Sequence, residues 1–366
     1  MKYKNSHSKH KFFLSLQSVV KAFIAHQYYI PLGNKKRTHM KPIIALLEGG
    51  FTNEALISQQ SADIIFDHID HDKFNVYRVK IVSSGWSVLC NNKWIELNKA
   101  DFSFELENKT IFFDGIFNMM HGTPGEDGKI QAFFDLLNIP YTGGGVLNMA
   151  LTFNKKATTT VLGYEKFSVA KSISIRKNSA YNWSDLTSSL TLPLFVKPNT
   201  AGSSLGISKV KDWSALDDAI EKAFVQSDEV LVEEMIVGTE VTCGVIEYQG
   251  KTIALPVTEI VCKNDFFDYN AKYESESTEE ITPARISDDL YTLIQKTSEK
   301  VYKVLNCKGF VRIDYIISKN IPYVIEVNAV PGMSSRSLVP QQLAYAKIDL
   351  GLYITDILER TLQESH

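Results

Sequence analysis

No Asp or Glu precedes Glu48, while Lys2, Lys4, Lys9, Lys11, Lys21, Lys35, Lys36 and Arg37 all do. The partly apolar run from Phe12 to Leu32 is broken by Lys21, His26 and several Gln and Ser residues, which makes it a poor membrane span. It also lacks a small-residue cleavage site, so a signal peptide is not supported. Residues 1–39 are therefore expected to be an extension outside the fold, with Met40 as an alternative start just before the strand-like "PIIALLE". Cysteine is scarce: Cys90, Cys243, Cys262 and Cys307 are scattered, with no C-x-x-C. That excludes a disulfide frame or a zinc ribbon and suits reduced thiols in a cytoplasmic protein. Net charge is only -3, which gives neither nucleic acid nor a membrane surface a reason to bind. Repeats and low-complexity tracts are missing too.

What remains is ordinary for a soluble protein: 366 residues, 44% apolar and 22% charged, enough for two or three lobes. From Lys41 the chain reads as a strand (Ile43–Leu47), a Gly-Gly turn, a helix from Asn53, a strand over Val76–Ile81 and the strand-rich "IFFDGIFNMMHG". Ile130, Phe133, Phe134 and Leu137 then recur at helical spacing. Alternating strands and helices predict an α/β lobe with a doubly wound parallel sheet over residues 41–150. A second lobe, 151–236, begins with a helix through Lys155 and Lys156 and continues through "LPLFVKP", the loop "NTAGSSLG" and "EVLVEEMI". A third, 237–366, holds "EVTCGVIEY", "KTIALPVTEIV", a helix over Asp288–Leu305 and the pair "GFVRIDYII" and "IPYVIEVN".

That last pair flanks "SKN" and predicts a hairpin. Arg312 and Asp314 share one strand face, as do Glu326 and Asn328, because side chains alternate with period 2. Closure near Lys319 sets Asp314 opposite Glu326 and Arg312 near Asn328. Two carboxylates and an amide oxygen suit Mg²⁺, which completes its shell with water and substrate phosphates. The alternative is a solvated salt-bridge ladder on an exposed face.

"FVKPNTAGSSLGISKV" places Lys197 at a strand end before small residues whose N–H groups can approach phosphate oxygens. It is neither a P-loop nor a dinucleotide fingerprint, and by itself reads more readily as a flexible hairpin. Lys155, Lys197 and Lys272 stand near lobe edges, where they can neutralise a triphosphate. In "VLVEEMIVGTE", the backbones of Glu234 and Ile236 can pair with a purine edge, and Glu233 or Glu240 with amino or hydroxyl groups. The strand ending at Asn328 breaks into Pro331-Gly332, where a glycine lets an N–H approach a reacting carbon.

Taken together, "HGTPGEDGKIQAFFDLLNIPYTG", "KPNTAGSSLGISKV", "VLVEEMIVGTE", "FFDYNAKY", "GFVRIDYI" and "IEVNAVPGMSSRSLVP" resemble the D-alanine–D-alanine ligases of the ATP-grasp superfamily, in order and spacing, from Lys41 to the C-terminus. The resemblance implies a three-lobed ATP-grasp architecture and ATP-dependent joining of two D-alanines for peptidoglycan synthesis in a bacterial cytoplasm. It also implies a homodimer. By resemblance, Asp314, Glu326 and Asn328 are ligands of Mg²⁺ or Mn²⁺. Lys155, Lys197, Ser204, Glu233, Glu234, Ile236, Glu240 and Lys272 bind ATP. Glu54, Ser203 and Tyr273 form a hydrogen-bonded trio. Arg312 and the Gly332 N–H stabilise an oxyanion, and His121, Ser337 and Leu338 line the substrate site. The loop from Ile260 to Ser275 is the expected lid. Asn154 departs from the family's usual Asp, Ala201 from an acid in some members, and the residues following Glu54 are atypical. A D-alanine–D-lactate ligase, another ATP-grasp carboxylate–amine ligase and a non-catalytic nucleotide-binding module are the competing readings.

Overall fold

The structure, a computed structural model, describes residues 41–179, 181–200, 202, 205–262 and 278–363. The expected extension 1–39, Ala201, Ser203, Ser204, and most of the expected lid, with Lys272 and Tyr273, lie outside the described residues.

The first sheet is built on β1 (Ile43–Gly49), whose apolar run suits a strand covered on both faces. After it come α1 (Ala55–His68) and β2 (Asn75–Val82). The hairpin β3 (Gly85–Cys90) and β4 (Lys93–Glu96), the ribbon β5 (Ser103–Leu106) and β6 (Lys109–Phe112), and β7 (Gly115–Asn118) follow. The order is β4-β3-β2-β1-β7. β1 runs parallel to β2 and β7, and the β3–β4 hairpin adds an antiparallel edge that strand–helix alternation alone does not disclose. α2 (Lys129–Leu137) forms where the Ile130-to-Leu137 spacing places it.

The helix expected through Lys155 is two helices, α3 (Val146–Phe153) and α4 (Lys155–Tyr164). Asn154 is their junction. Its side chain accepts the Ala157 N–H at 2.8 Å and caps α4, a task Asn performs about as well as Asp. The second sheet comprises β8 (Ser172–Arg176), β9 (Leu194–Pro198), β10 (Ser208–Val210) and β11 (Glu229–Glu234), in the antiparallel order β10-β9-β11-β8. α5 (Trp183–Ser189) and α6 (Leu216–Phe224) cover it, α6 through Leu216, Ile220 and Ala223.

The third sheet holds β12 (Thr239–Tyr248), β13 (Lys251–Cys262), β14 (Thr278–Ile281), β15 (Val311–Ser318) and β16 (Ile321–Asn328), ordered β14-β13-β12-β15-β16. α7 (Asp288–Val304) packs on it through Ile294 and Val301. Lys319 and Asn320 both take left-handed φ, 49° and 63°, the backbone of a tight two-residue hairpin turn. A bulge near Ile325 interrupts the β15–β16 ladder: Asp314 pairs with Glu326, but Tyr315 pairs with Val324. The chain closes with α8 (Leu338–Tyr345) and α9 (Leu350–Gln363). Ile44, Ile65 and Phe117 from the start of the chain share one core with Phe310, Met333, Leu343 and Ile357 from its end. That shared core carries the strand break after Asn328 up against α1.

Candidate active site

The hairpin sets the acidic face. Arg312 pairs with Asn328 and Asp314 with Glu326 across β15–β16, as expected, the bulge near Ile325 supplying the one-residue shift that brings them opposite, and Thr242 of β12 flanks Asp314 on its other side. Arg312 grips Asp314 with a two-point fork, Nε to Oδ1 and Nη2 to Oδ2, each at 2.8 Å. Thr242 donates to Oδ1 at 2.7 Å and Asn328 Nδ2 to Oδ2 at 3.0 Å. Asp314 thus accepts four hydrogen bonds. Burial lowers the Arg312 pKa, but the charge and hydrogen bonds of Asp314, with the charges of Glu326 and Glu126, outweigh it and raise the pKa overall. Lys155 lies 3.5 Å from Glu326. Asp314, Glu326 and the Asn328 side-chain oxygen are an oxygen-only set on adjacent strands, and they fit Mg²⁺ once the amide presents its oxygen.

Lys155 is delivered by the start of α4. Fully buried Asn199 accepts the Lys156 N–H on its side chain at 2.8 Å and the Lys155 N–H on its carbonyl at 3.1 Å. Its Nδ2 is held by Glu229 at 2.7 Å. The loop after Lys197 therefore fixes the helix that carries Lys155. Lys197 itself is buried and paired with buried Glu233 at 2.8 Å. Glu234 instead accepts from the Thr191 N–H at 2.8 Å. Ile236 and Glu240 lie at the β11–β12 junction beyond it.

A second group faces this one from the first sheet. Glu54 caps α1 by position, without a side-chain cap bond. Its carboxylate sits between two glycines: a Cβ at Gly202 would collide with it, and one at Gly122 would fall 3.2 Å from Oε2. The Gly/Ser loop therefore does reach Glu54, at the residue just before Ser203. Glu126, from "GEDG", accepts the Gly122 N–H at 2.7 Å. Burial, and next the Glu54 charge, push its carboxyl up to about 8 against the pull of the Gly122 and Val330 backbone and Lys155. His121 is buried, and burial drops its pKa to about 4; a Val330 backbone hydrogen bond opposes the drop and the Arg312 charge adds to it.

The break after β16 runs Val330-Pro331-Gly332-Met333. A Cβ at Gly332 would lie 2.9 Å from Ser337 Oγ. Ser337 is the N-cap of α8 but makes no side-chain cap bond; its hydroxyl lies 2.8 Å from Ser334 Oγ instead. The first N–H groups of α8, beginning at Leu338, thus receive no bond from the Ser337 side chain, and a helix N-terminus of this kind favours an anion. Sequence reasoning gave no role to Asn199, Thr242, Glu126 or Ser61. The missed signal is clearest for Ser61: Ser58, Ser61, Ala62 and Ile65 are the buried stripe of α1, and hydroxyls at such positions demand partners.

Residues 43–144 match the family model of the D-ala D-ala ligase N-terminus, and residues 155–362 that of the D-ala D-ala ligase C-terminus. The architecture is that of the ATP-grasp ligases, and the chain belongs to the D-alanine–D-alanine ligase family. It is 45% identical over 307 residues to the D-alanine–D-alanine ligase of Flavobacterium psychrophilum, covering 84% of this chain and 93% of that one. Against the enzyme of Parabacteroides distasonis it is 43% identical, covering 88% and 98%. Among solved structures, VanG D-Ala:D-Ser ligase from Enterococcus faecalis superposes with a TM-score of 0.79 at 31% identity, covering 88% of this chain and 100% of that one. D-alanine–D-alanine ligase from Bacillus anthracis complexed with ATP superposes at 0.70 and 30%, covering 89% and 98%.

Proposed function

We propose that this chain joins two D-alanine molecules at the expense of ATP, giving D-alanyl-D-alanine, ADP and phosphate. One observation carries the reading: the Arg312–Asp314 fork, with Glu326, Asn328 and Lys155, lies in one body with Glu54, His121 and the Gly332 break. A carboxylate and an amine do not condense unaided. Transfer of the ATP γ-phosphoryl to the first carboxylate makes an acyl phosphate and releases ADP. This step needs positioning and charge neutralisation more than covalent help. Lys155 and Lys197 supply positive charge to the phosphates, and Glu233 receives the adenine amino group beside the Glu234 and Ile236 backbone, with Glu240 on the ribose. Ser204 and Lys272 complete this set. Asp314, Glu326 and Asn328 would hold Mg²⁺, or Mn²⁺ in its place, which when bound would add positive charge for the phosphates.

The second D-alanine reacts as the free amine. Its nitrogen attacks the acyl carbon, a tetrahedral oxyanion forms, and collapse expels phosphate while the nitrogen loses its proton. Arg312 uses Nε and Nη2 on Asp314, so Nη1 is the edge that meets the oxyanion, opposite the Gly332 N–H. Ser337 and the Leu338 N–H hold the second carboxylate at the α8 N-terminus. His121 and the set Glu54, Ser203 and Tyr273 orient the amino groups. The family reading carries with it a homodimer and a cytoplasmic role in peptidoglycan synthesis. No helix among the described residues is long and apolar enough to cross a membrane. The test is the full chain with ATP, Mg²⁺ and D-alanine, alone and with D-serine or D-lactate, followed by phosphate release and product mass. Phosphate release without an alanyl dipeptide would overturn the assignment. A mixed product as the major species would reassign the second substrate.

A further inference from the structure

Helix α1 carries Ser58 and Ser61 one turn apart, both fully buried. Ser58 works within the first sheet: it accepts the Gly49 N–H at 2.9 Å and donates to the Met119 carbonyl at 2.7 Å, tying the ends of β1 and β7. Ser61 reaches across to the last sheet's strand break. Its Oγ accepts the Met333 N–H at 3.0 Å and lies 3.2 Å from His121 Nε2. A hydroxyl has one proton to give. It also has two lone pairs, so the Met333 N–H on one of them does not fix the direction at Nε2. The ring donates to the Val330 backbone, and with Nε2 on Ser61 that donor is Nδ1, which leaves Nε2 to accept the Ser61 proton. Ser61 and His121 therefore grip residues 330 and 333 on either side of Pro331-Gly332. An alanine would fill the Ser61 position without burying a hydroxyl, so the polar group is there for its partners.

We propose that Ser61 is a positioning residue: by holding the Met333 N–H and the His121 tautomer it aims the Gly332 N–H at the oxyanion of the second step. The inference rests on the ligase reading of the site. Ser61 touches no substrate. It acts on where a donor stands, and small misplacements of reacting groups cost on the order of 100-fold in rate.

The test uses the full chain as parent, Ser61→Ala and Ser61→Cys. The readouts are kcat, KM for D-alanine, ATP affinity, and inhibition by a dipeptide analogue with tetrahedral phosphorus in place of the reacting carbon. In Ser61→Ala, kcat should fall about 10- to 100-fold, and the analogue should weaken by a similar factor because it reports transition-state contacts. ATP affinity and KM should stay within about twofold. Ser61→Cys, which keeps a weak donor and acceptor, should fall between parent and alanine, and it carries the comparison if Ser61→Ala does not fold. ¹⁵N NMR of His121 should show the Nδ1–H tautomer in the parent and a mixture in Ser61→Ala. Loss of kcat with unchanged analogue affinity, or an unchanged kcat, would overturn the proposal. Absence of dipeptide from the parent itself would instead overturn the ligase reading.

Discussion

Lys197 and Glu233 stand two rungs apart on neighbouring strands, and their side chains meet at 2.8 Å with each about 7% exposed. Each neutralises a charge that is otherwise costly to bury. Removing one partner strands the other, which typically costs about 3–5 kcal/mol. Glu233→Ala should therefore destabilise the nucleotide-free protein by roughly that amount, far more than Lys155→Ala at its more exposed ion pair. Urea unfolding of the two variants decides it, and equal losses would refute the difference.

Asp314, Glu326 and Asn328 divide differently between stability and turnover. Each alanine variant should lose activity by at least about 100-fold, because a shell with few protein oxygens has no spare. Only Asp314→Ala should also unfold at markedly lower urea, since it alone leaves the Arg312 fork without its carboxylate. Full turnover in any two of the three at ordinary Mg²⁺ would remove the metal assignment.

Glu126 gives the ligand-free protein a pH dependence. Its folded pKa, about 8, lies above the ordinary 4.5, so the folded state binds more protons between those values. The stabilisation from this group is complete below 4.5 and is lost as pH rises towards 8. His121 runs the other way: its pKa falls from 6.5 to about 4, so its contribution is present above 6.5 and lost as pH falls through 4. Glu126→Gln should accordingly gain stability relative to parent as pH increases, most clearly above 6.5, where His121 no longer contributes a slope. Urea midpoints across the range decide the point, and curves that stay parallel would contradict it.

Gly202 is hemmed in by the Glu54 carboxylate. Gly202→Ala should displace that carboxylate and raise KM for D-alanine by about tenfold, while ATP affinity changes little. A variant with parental KM would show that Glu54 does not depend on this contact.

Most of the acidic face is legible in the sequence. Period-2 alternation, a strictly local rule, puts Arg312 with Asp314 and Glu326 with Asn328 on one face of each strand, but with a two-residue turn at Lys319–Asn320 it sets Asp314 opposite Ile325, and only the bulge brings Glu326 there. The partners of His121 are not legible. Ser61 and Met333 are brought together by a core shared between the first and last sheets, and no local pattern encodes which distant surfaces will share apolar contacts. The Lys155–Asn199 contact is hidden for the same reason, since it joins a helix start to a loop in another part of the chain. Asn154 shows the reverse case. As a departure from the usual Asp it looks like a weakness on paper, yet capping requires only a side-chain oxygen, and Asn has one.

The bulge at Ile325 makes β16 two half-strands of opposite phase. Val324 and Val327 both face the core although they are three apart, which simple alternation forbids, and Glu326 and Asn328 are thereby free to face the site. The extra residue acts as a buffer in the coding of the strand: the segment near the turn and the segment bearing the ligands keep separate registers. Insertions at Lys319–Asn320 should therefore be absorbed without disturbing the acidic face. Deleting Ile325 alone would leave Val324, Glu326, Val327 and Asn328 in simple alternation opposite the same β15 partners, and would remove only the bend and extra twist that the bulge gives the strand. Over evolutionary time, this hairpin is free to change length at its tip while the acidic face keeps its own register.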